Sequence, residues 1–323
     1  MTGIVAIDVG GTHVRFAMAE VEAGQVLGLG DAVTLRTSAH EGLQSAWRAF
    51  ADAVGRPPPR DVAIAFAGPV RGEALKLVNN DWVIRPDEIR STLGAQRFTI
   101  VNDFGAVAHA VARLGEAHFA HLCGPDRPLA GAGVTSIVGP GTGLGIALLV
   151  RRGGGYEVVE TEGGHFDFAP LDPVEDRILA RLRARFGRVS AERIVSGPGL
   201  ANLHEALAAI DGQKAAPGDP KALLQAALSG GDPIAARALD RFCLSLGAVA
   251  GDVALAQGAD SVAIAGGLGL RLADRLPASG FAGRFAAKGR FEAHMREIPV
   301  RIVTHPQPGL YGAAVAFARE HGV

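Results

Sequence analysis

The sequence predicts an α/β protein of two domains, and three observations carry that reading. Apolar strands alternate with amphipathic helices along the chain. The 323 residues exceed what a single core usually organises. The pattern strand, glycine turn, strand opens the chain and recurs near its middle. Such a weak internal repeat points to two related halves facing a cleft.

The elements follow in order. An apolar strand at 4–7 runs into Asp8-Val9-Gly10-Gly11-Thr12, and 14–19 reads as the returning strand of a hairpin. The next helix has Ser38 and Glu41 as a capping box, then Leu43, Ala46, Trp47, Phe50 and Val54 on one face, and Pro57-Pro58-Pro59 ends it. Residues 61–67 and 75–78 read as strands, 86–93 as a short helix stopped by Gly94, 97–101 as a strand and 104–114 as a helix. After the Gly- and Pro-rich loop 124–133, a strand at 134–138 meets Gly139-Pro140-Gly141-Thr142-Gly143 and returns through 144–150. Another strand covers 156–161. A long helix starts at Asp232-Pro233 and ends near Gly258, with Leu239, Phe242, Leu246, Val249 and Val253 as its apolar stripe. The strand 262–265 runs into Gly266-Gly267, and 310–319 is a terminal helix after Pro306 and Pro308.

Composition narrows the classes of function. The chain is 48% hydrophobic and 20% charged, with a net charge of −1 and no run of like charges. It carries no electrostatic footprint for nucleic acid or an anionic membrane. The arginines between Arg177 and Arg188 read as a solvated face late in a helix. Two cysteines far apart, Cys123 and Cys243, exclude a disulfide framework and a cysteine zinc cluster, and they fit a reducing compartment. A strand beginning at residue 4 leaves no room for a signal peptide, and no apolar run approaches the ~20 residues of a membrane span. The expected location is the cytoplasm.

Each of the three glycine turns ends an apolar strand. Glycine tolerates φ > 0 and close approach of a ligand, so each turn offers backbone amides to an anion. No lysine follows in the G-x-x-x-x-G-K-[ST] pattern, which excludes a Walker loop. Leu144 and a strand after Gly143 break the dinucleotide fingerprint. A single hairpin with a glycine-rich tip is ordinary. Two of them, each with glycine directly before threonine, favour phosphate, and three turns suggest a nucleotide gripped from several sides.

Polar residues collect at four places. Asn102-Asp103 lies where a strand ends and a helix begins, the edge at which open α/β sheets collect ligands. A carboxylate there can take a proton from a hydroxyl, and Asp103 reads equally well as a helix N-cap. Glu162-Gly163-Gly164-His165 puts a carboxylate and an imidazole on a Gly-Gly hinge, able to converge on one small polar ligand. No further His or Cys stands at zinc-ligand spacing, and a loop histidine bonded to backbone is the plain alternative for His165. Glu192 either reaches a hydroxyl-rich ligand or is an exposed loop acid, while Ser196 reads as the cap of the next helix. Asn79-Asn80-Asp81 ends a strand with three short polar groups, as an Asx turn also does. Acids, amides and one imidazole suit a polyhydroxylated neutral molecule, and the turns suit ATP. The combination points to phosphoryl transfer to a sugar.

The stretches DVGGTHVRFA, VNDF, GTGLG, EGGHFDFAP, SAERIVSGPGL, ASGFAGRFAAKGRF and HPQPGLYGAA, in this order across nearly the whole chain, are similar to the bacterial glucokinase family of the hexokinase, Hsp70 and actin superfamily. The resemblance implies a two-lobed actin-like ATPase fold, ribonuclease H-like, with a cleft between a small domain (1–110 plus 306–323) and a large one (111–305). It implies Asp103 as the general base at the sugar's primary hydroxyl. It places Asn102, Glu162, His165 and Glu192 on the other hydroxyls, with Asn79 nearby. Gly10, Gly11 and Thr12 cradle the outer phosphates, with Asp8 toward the metal-bound phosphate, through water if at all. Gly141, Thr142 and Gly143 form the second phosphate turn, and Gly266 and Gly267 approach the adenosine. ATP, Mg²⁺, glucose, cleft closure and a homodimer are implied with them. His13 stands where the family usually carries Asn, a change that leaves the backbone cradle untouched. The related ROK kinases carry a cysteine-rich zinc motif that this chain lacks.

Two rival readings remain open at this point. Kinases for mannose, fructose or a hexosamine differ from a glucose kinase by contacts at single hydroxyls. A non-catalytic sugar sensor on the same fold would carry a DNA-binding segment before its first strand, and only three residues precede residue 4.

Overall fold

The computed structural model describes residues 1–77, 80–213 and 218–323. The chain divides into two compact units: Met1–Gly115, Val158–Glu160 and His305–Val323 form the first, Glu116–Glu157 and Thr161–Thr304 the second.

The first unit opens with β1 (Thr2–Val9), β2 (His13–Glu22), β3 (Gln25–Leu29) and β4 (Val33–Arg36), followed by α1 (Leu43–Val54) and β5 (Asp61–Phe66). The small strands β6 (Leu75–Lys76) and β7 (Val83–Ile84) pair with each other, and α2 (Ile89–Leu93), β8 (Arg97–Asn102) and α3 (Asp103–Arg113) complete the stretch. Strand β1 is buried on both faces. Val5, Ile7 and Val9 join a core with Trp47 and Phe50, while Ile4 and Ala6 pack with Ala106, Leu310 and Phe317, the two-residue alternation of a pleated strand.

Helix α1 starts later than the sequence signal indicates. Thr37–Ala39 is a 3₁₀ turn, so Ser38 and Glu41 do not cap it. Gly42 is the N-cap, and its N–H donates to Ser45 Oγ at 3.3 Å. The reason is that Thr37 is tied to the first glycine turn, which holds the chain out of helix until Gly42. The apolar stripe is otherwise as expected: Leu43, Ala46, Trp47 and Phe50 are buried, with the Phe50 ring 5.0 Å from that of Phe16. Gly94 ends α2 with φ 67°. The expected strand at 75–78 stops at Lys76, and residue 78 lies outside the described residues.

The second unit runs through β9 (Phe119–Cys123), β10 (Gly133–Pro140), β11 (Leu144–Arg152), β12 (Gly155–Thr161, whose Val158–Glu160 count with the first unit), α4 (Pro173–Phe186), α5 (Gly197–Ile210), α6 (Pro220–Ser229) and α7 (Pro233–Gln257). It continues through β13 (Ser261–Ile264), α8 (Gly266–Arg271), α9 (Phe281–Ala286), α10 (Glu292–Arg296) and β14 (Val300–Val303). The terminal α11 (Pro308–His321) belongs to the first unit, where it packs on β1, β5 and α3. Asp232 caps α7 by accepting from the amides of Ile234 and Ala235, and Gly258 ends it with φ 62°. Its stripe residues Leu239, Phe242, Leu246, Val249 and Val253 are buried.

Both sheets follow one plan. The first is ordered β3-β2-β1-β5-β8 with β4 on β2, the second β12-β11-β10-β13-β14-β9. In each, an antiparallel hairpin (β1–β2, β10–β11) continues into two parallel strands (β5 and β8, β13 and β14). The repeat read in the sequence is therefore a repeat of sheet topology.

Candidate active site

The carboxyl ends of the parallel strands in the first unit place two sets of predicted residues on one sheet edge. Val9, Phe66 and Asn102 are in register across β1, β5 and β8. The turn after Val9 and the acid after Asn102 thus stand two strand spacings apart, about 10 Å. One triphosphate end and one hydroxyl acceptor fit within that span.

At the far end of this edge the helix cap is Asn102, not Asp103. Asn102 Oδ1 accepts the amides of Phe104 and Gly105 at 2.9 and 3.1 Å, and Asn102 Nδ2 donates to Gly68 O at 3.0 Å. Capping by the preceding residue leaves Asp103 at the first helical position. The Asn102 amide is itself held by Glu160 Oε1 at 2.8 Å, and a Cβ on Gly105 would lie 2.4 Å from that oxygen. Glu160 carried no sequence signal beyond its place in a strand.

At the near end, the turn Gly10–His13 is pinned by its carbonyls. Gly10 N–H donates to His13 O at 3.0 Å. Gly11 O accepts Thr37 Oγ1 at 2.8 Å and Asn80 Nδ2 at 3.2 Å, and Thr12 O accepts Thr37 N–H at 3.1 Å. The Gly10 amide is therefore spent inside the hairpin, which corrects its expected place in the phosphate cradle. Asp8, just before the turn, pairs with Arg15 at 2.9 Å. Burial pushes its carboxyl above the ordinary value, and the Arg15 guanidinium offsets only part of this. Asn79 lies outside the described residues.

In the second unit the remaining predicted residues gather on the tip of the β10–β11 hairpin. Glu192 Oε2 accepts the Leu144 amide at 3.0 Å. It is half-buried on a 3₁₀ turn, not an exposed loop acid. A Cβ on Gly143 would meet the same oxygen at 2.5 Å, and one on Gly164 would meet Leu144 O at 2.0 Å. The pair Gly163-Gly164 is thus a point of close packing rather than a hinge. Thr161 Oγ1 fixes the strand before it by donating to Ile146 O at 2.7 Å. Glu162 and His165 stand 3.9 Å apart, both more than half exposed. Behind them Arg188 donates to His165 O at 2.5 Å and Ala191 N–H to Phe166 O at 2.8 Å, which lays the His165 and Glu192 segments side by side. Ser196 caps α5 as expected, accepting Gly199 N–H at 3.0 Å.

Here too the first amide of the turn is used internally: Gly141 N–H donates to Gly143 O at 2.8 Å, and Gly141 O accepts Gly197 N–H at 2.8 Å. Neither Gly10 nor Gly141 nor Gly143 takes the left-handed conformation; glycine serves space at Gly143 and, with a Cβ position 3.3 Å from His13 O, at Gly10, while nothing lies within 4 Å of a Cβ on Gly141. Gly266 differs, with φ 79° and a Cβ position 2.5 Å from Pro140 O, so the third turn sits directly against the second. Gly267 has no atom within 4 Å of its Cβ position.

Among the described residues no group of three or more His, Cys, Asp or Glu could hold a metal. That donor set suits Mg²⁺ held mainly by substrate phosphates and water with one carboxylate such as Asp8. Burial pushes the Cys123 thiol up to about 12 and that of Cys243 to about 11, so neither offers a thiolate near neutral pH.

A family model described as glucokinase matches residues 5–320. A glucokinase of Zymomonas mobilis is 59% identical over 318 residues, 98% of each chain. This chain belongs to the glucokinase family. A Xanthomonas euvesicatoria glucokinase is 40% identical over 96% of this chain and 93% of its own. Among solved structures, a glucokinase from an Antarctic psychrotroph superimposes with a TM-score of 0.83 at 31% identity, covering 99% of both chains. A ROK family glucokinase from Streptomyces griseus shares the fold, with a TM-score of 0.63 at 20% identity and coverage of 98% and 99%. The glucokinase family thus supplies the two-domain sugar kinase fold that the duplicated sheet plan describes.

Proposed function

We propose that this chain is an ATP-dependent glucokinase that phosphorylates glucose at its primary hydroxyl, giving glucose 6-phosphate and ADP. The observation that carries the reading is identity of 59% with a glucokinase along 98% of both chains. The site supports it with an acid and a glycine turn on one sheet edge, and with two acids and an imidazole around a second turn.

In this reaction the 6-oxygen of the sugar forms a bond to the terminal phosphorus as the bond to the ADP oxygen breaks, and the hydroxyl proton passes to the Asp103 carboxylate. The Nδ2 hydrogen of Asn102 not used by Gly68 O donates to a sugar hydroxyl, and Glu162, His165, Glu192 and Asn79 bind the others. Amides of the turns around Thr12 and Thr142 take the phosphate oxygens, and Gly266-Gly267 runs beside the adenosine. Phosphoryl transfer asks mostly for such positioning and charge neutralisation. Mg²⁺ bound with the nucleotide supplies further neutralisation of the phosphates, with Asp8 on its water shell.

The small domain is 1–110 with 306–323 and the large one 111–305. The enzyme works as a homodimer in the cytoplasm, at the first step of glucose catabolism. The family resemblance supports this; among the described residues no helix is long and apolar enough to cross a membrane. A coupled ADP-release assay over a panel of hexoses tests the activity. Glucose gives the highest kcat/KM; a clear preference for mannose, fructose or a hexosamine, or no turnover, overturns the reading.

A further inference from the structure

We propose that Thr37 is a positioning residue for the nucleotide: it orients the Thr12 amide of the first phosphate turn. The inference rests on the kinase reading above and adds a residue outside the hairpin to it.

Thr37 is 1% exposed and follows β4 directly, far in sequence from the turn that it touches. One residue engages two successive carbonyls of that turn. Its hydroxyl donates to Gly11 O at 2.8 Å, and its N–H donates to Thr12 O at 3.1 Å. In a trans peptide the C=O and the N–H across the same bond point in opposite directions. Fixing Gly11 O toward Thr37 therefore aims the N–H of Thr12, across the same peptide bond, away from it. The Gly10 amide is already spent on His13 O, so the Thr12 amide is the one that the Thr37 hydroxyl orients. Asn80 Nδ2 adds a second donor to Gly11 O at 3.2 Å. Trp82 Nε1 donates to His40 O at 3.0 Å and holds the segment after Thr37 in place.

The arrangement matters for phosphate because a backbone cradle has no charge and works only through preset direction. Without the hydroxyl, the peptide between Gly11 and Thr12 loses its strongest restraint, and the amide must be reordered each time a phosphate binds. The hydroxyl touches no substrate. Its loss changes nucleotide affinity and leaves sugar affinity alone.

The test compares Thr37→Val, which keeps shape and deletes the donor, with Thr37→Ser, which keeps the donor. The Kd of AMPPNP is measured by titration calorimetry, and the KM of ATP and of glucose by steady-state assay. Thr37→Val weakens AMPPNP and raises the KM of ATP about three- to tenfold, the range of one net hydrogen bond. Its KM for glucose stays within about twofold, and Thr37→Ser stays within about twofold of wild type throughout. An AMPPNP Kd unchanged in Thr37→Val overturns the proposal, as does a rise in glucose KM that keeps pace with that of ATP. If Thr37→Val does not fold, Thr37→Ala removes the same hydroxyl with a smaller side chain; an unchanged AMPPNP Kd there overturns the proposal equally. A wild type that binds AMPPNP without phosphorylating glucose refutes the kinase reading and still leaves the Kd comparison to judge Thr37.

Discussion

Glu192 uses one carboxylate oxygen to hold the Leu144 amide, with a Gly143 Cβ position 2.5 Å from the same atom. The acid proposed for the sugar is thus also part of the wall of the second glycine turn. Glu162, more than half exposed and 3.9 Å from His165, has no such second task. The two acids therefore separate kinetically. Glu162→Gln raises the KM of glucose and leaves that of ATP near wild type; Glu192→Ala raises both, each by about tenfold for a charged hydrogen bond lost. Steady-state kinetics with each substrate varied in turn check this, and a Glu192→Ala effect confined to glucose contradicts the shared role. The sequence showed these acids and left their setting open. Asp103 read as well as a cap as it did as a base, because Asn and Asp cap helices through the same geometry. The position of Asn102 Oδ1 over the amides of Phe104 and Gly105 identifies Asn102 as the cap, while Asp103 Oδ1 also accepts the Phe104 amide at 2.9 Å.

Elements hold these residues through contacts of which the sequence showed some and hid others. On α7, a Cβ on Gly247 would lie 2.3 Å from Phe281 O and one on Gly251 2.4 Å from Phe285 O, so two glycines one turn apart let α9 lie directly on α7. An ion cluster ties α9 and α7 to the start of α4. Arg284 and Arg241 both reach Asp172, and Arg284 stands 3.3 Å from the buried Glu175. Burial pushes the Asp172 carboxyl up, but the amides of Glu175 and Val174 and the Arg241 guanidinium together hold it below its ordinary 3.8. A depressed carboxyl contributes stability above its ordinary value and loses it as the pH falls through the lowered one. Asp172→Asn accordingly melts below wild type near pH 7, and the gap closes below about pH 4. Thermal melts across that range check it, and a gap independent of pH contradicts the role of the charge. Helices with caps and stripes, such as α7 from Asp232 to Gly258, were legible. Strands β3 and β4 were not: they lie outside β2 with little burial, β3 shows no alternation, and the alternation of β4 spans only four residues.

Taken as a molecule, the chain repeats one sheet plan in each unit, and the duplicated hairpins made that plan legible from sequence. The glycines were read partly for the wrong reason: they were expected to supply positive φ, and of the glycines in the three turns Gly266 is the one observed with it. At Gly143 the glycine makes room for a neighbouring carboxylate instead. Thr37 and Glu160 escaped notice, and Asn80 was read only for its local turn, because side-chain bonds between distant segments leave no periodic trace. What the register does establish is that β1 and β8 end level with each other, two strand spacings apart with β5 between them. That puts the acid following β8 on the same sheet edge as the turn following β1, the arrangement on which the proposed transfer rests. The direct measurement is the turnover of Asp103→Asn with glucose and ATP. The account predicts a fall in kcat of about 10²- to 10⁴-fold, with the glucose Kd and the melting temperature close to wild type. A variant that keeps more than about a tenth of wild-type turnover would show that Asp103 does not take the proton.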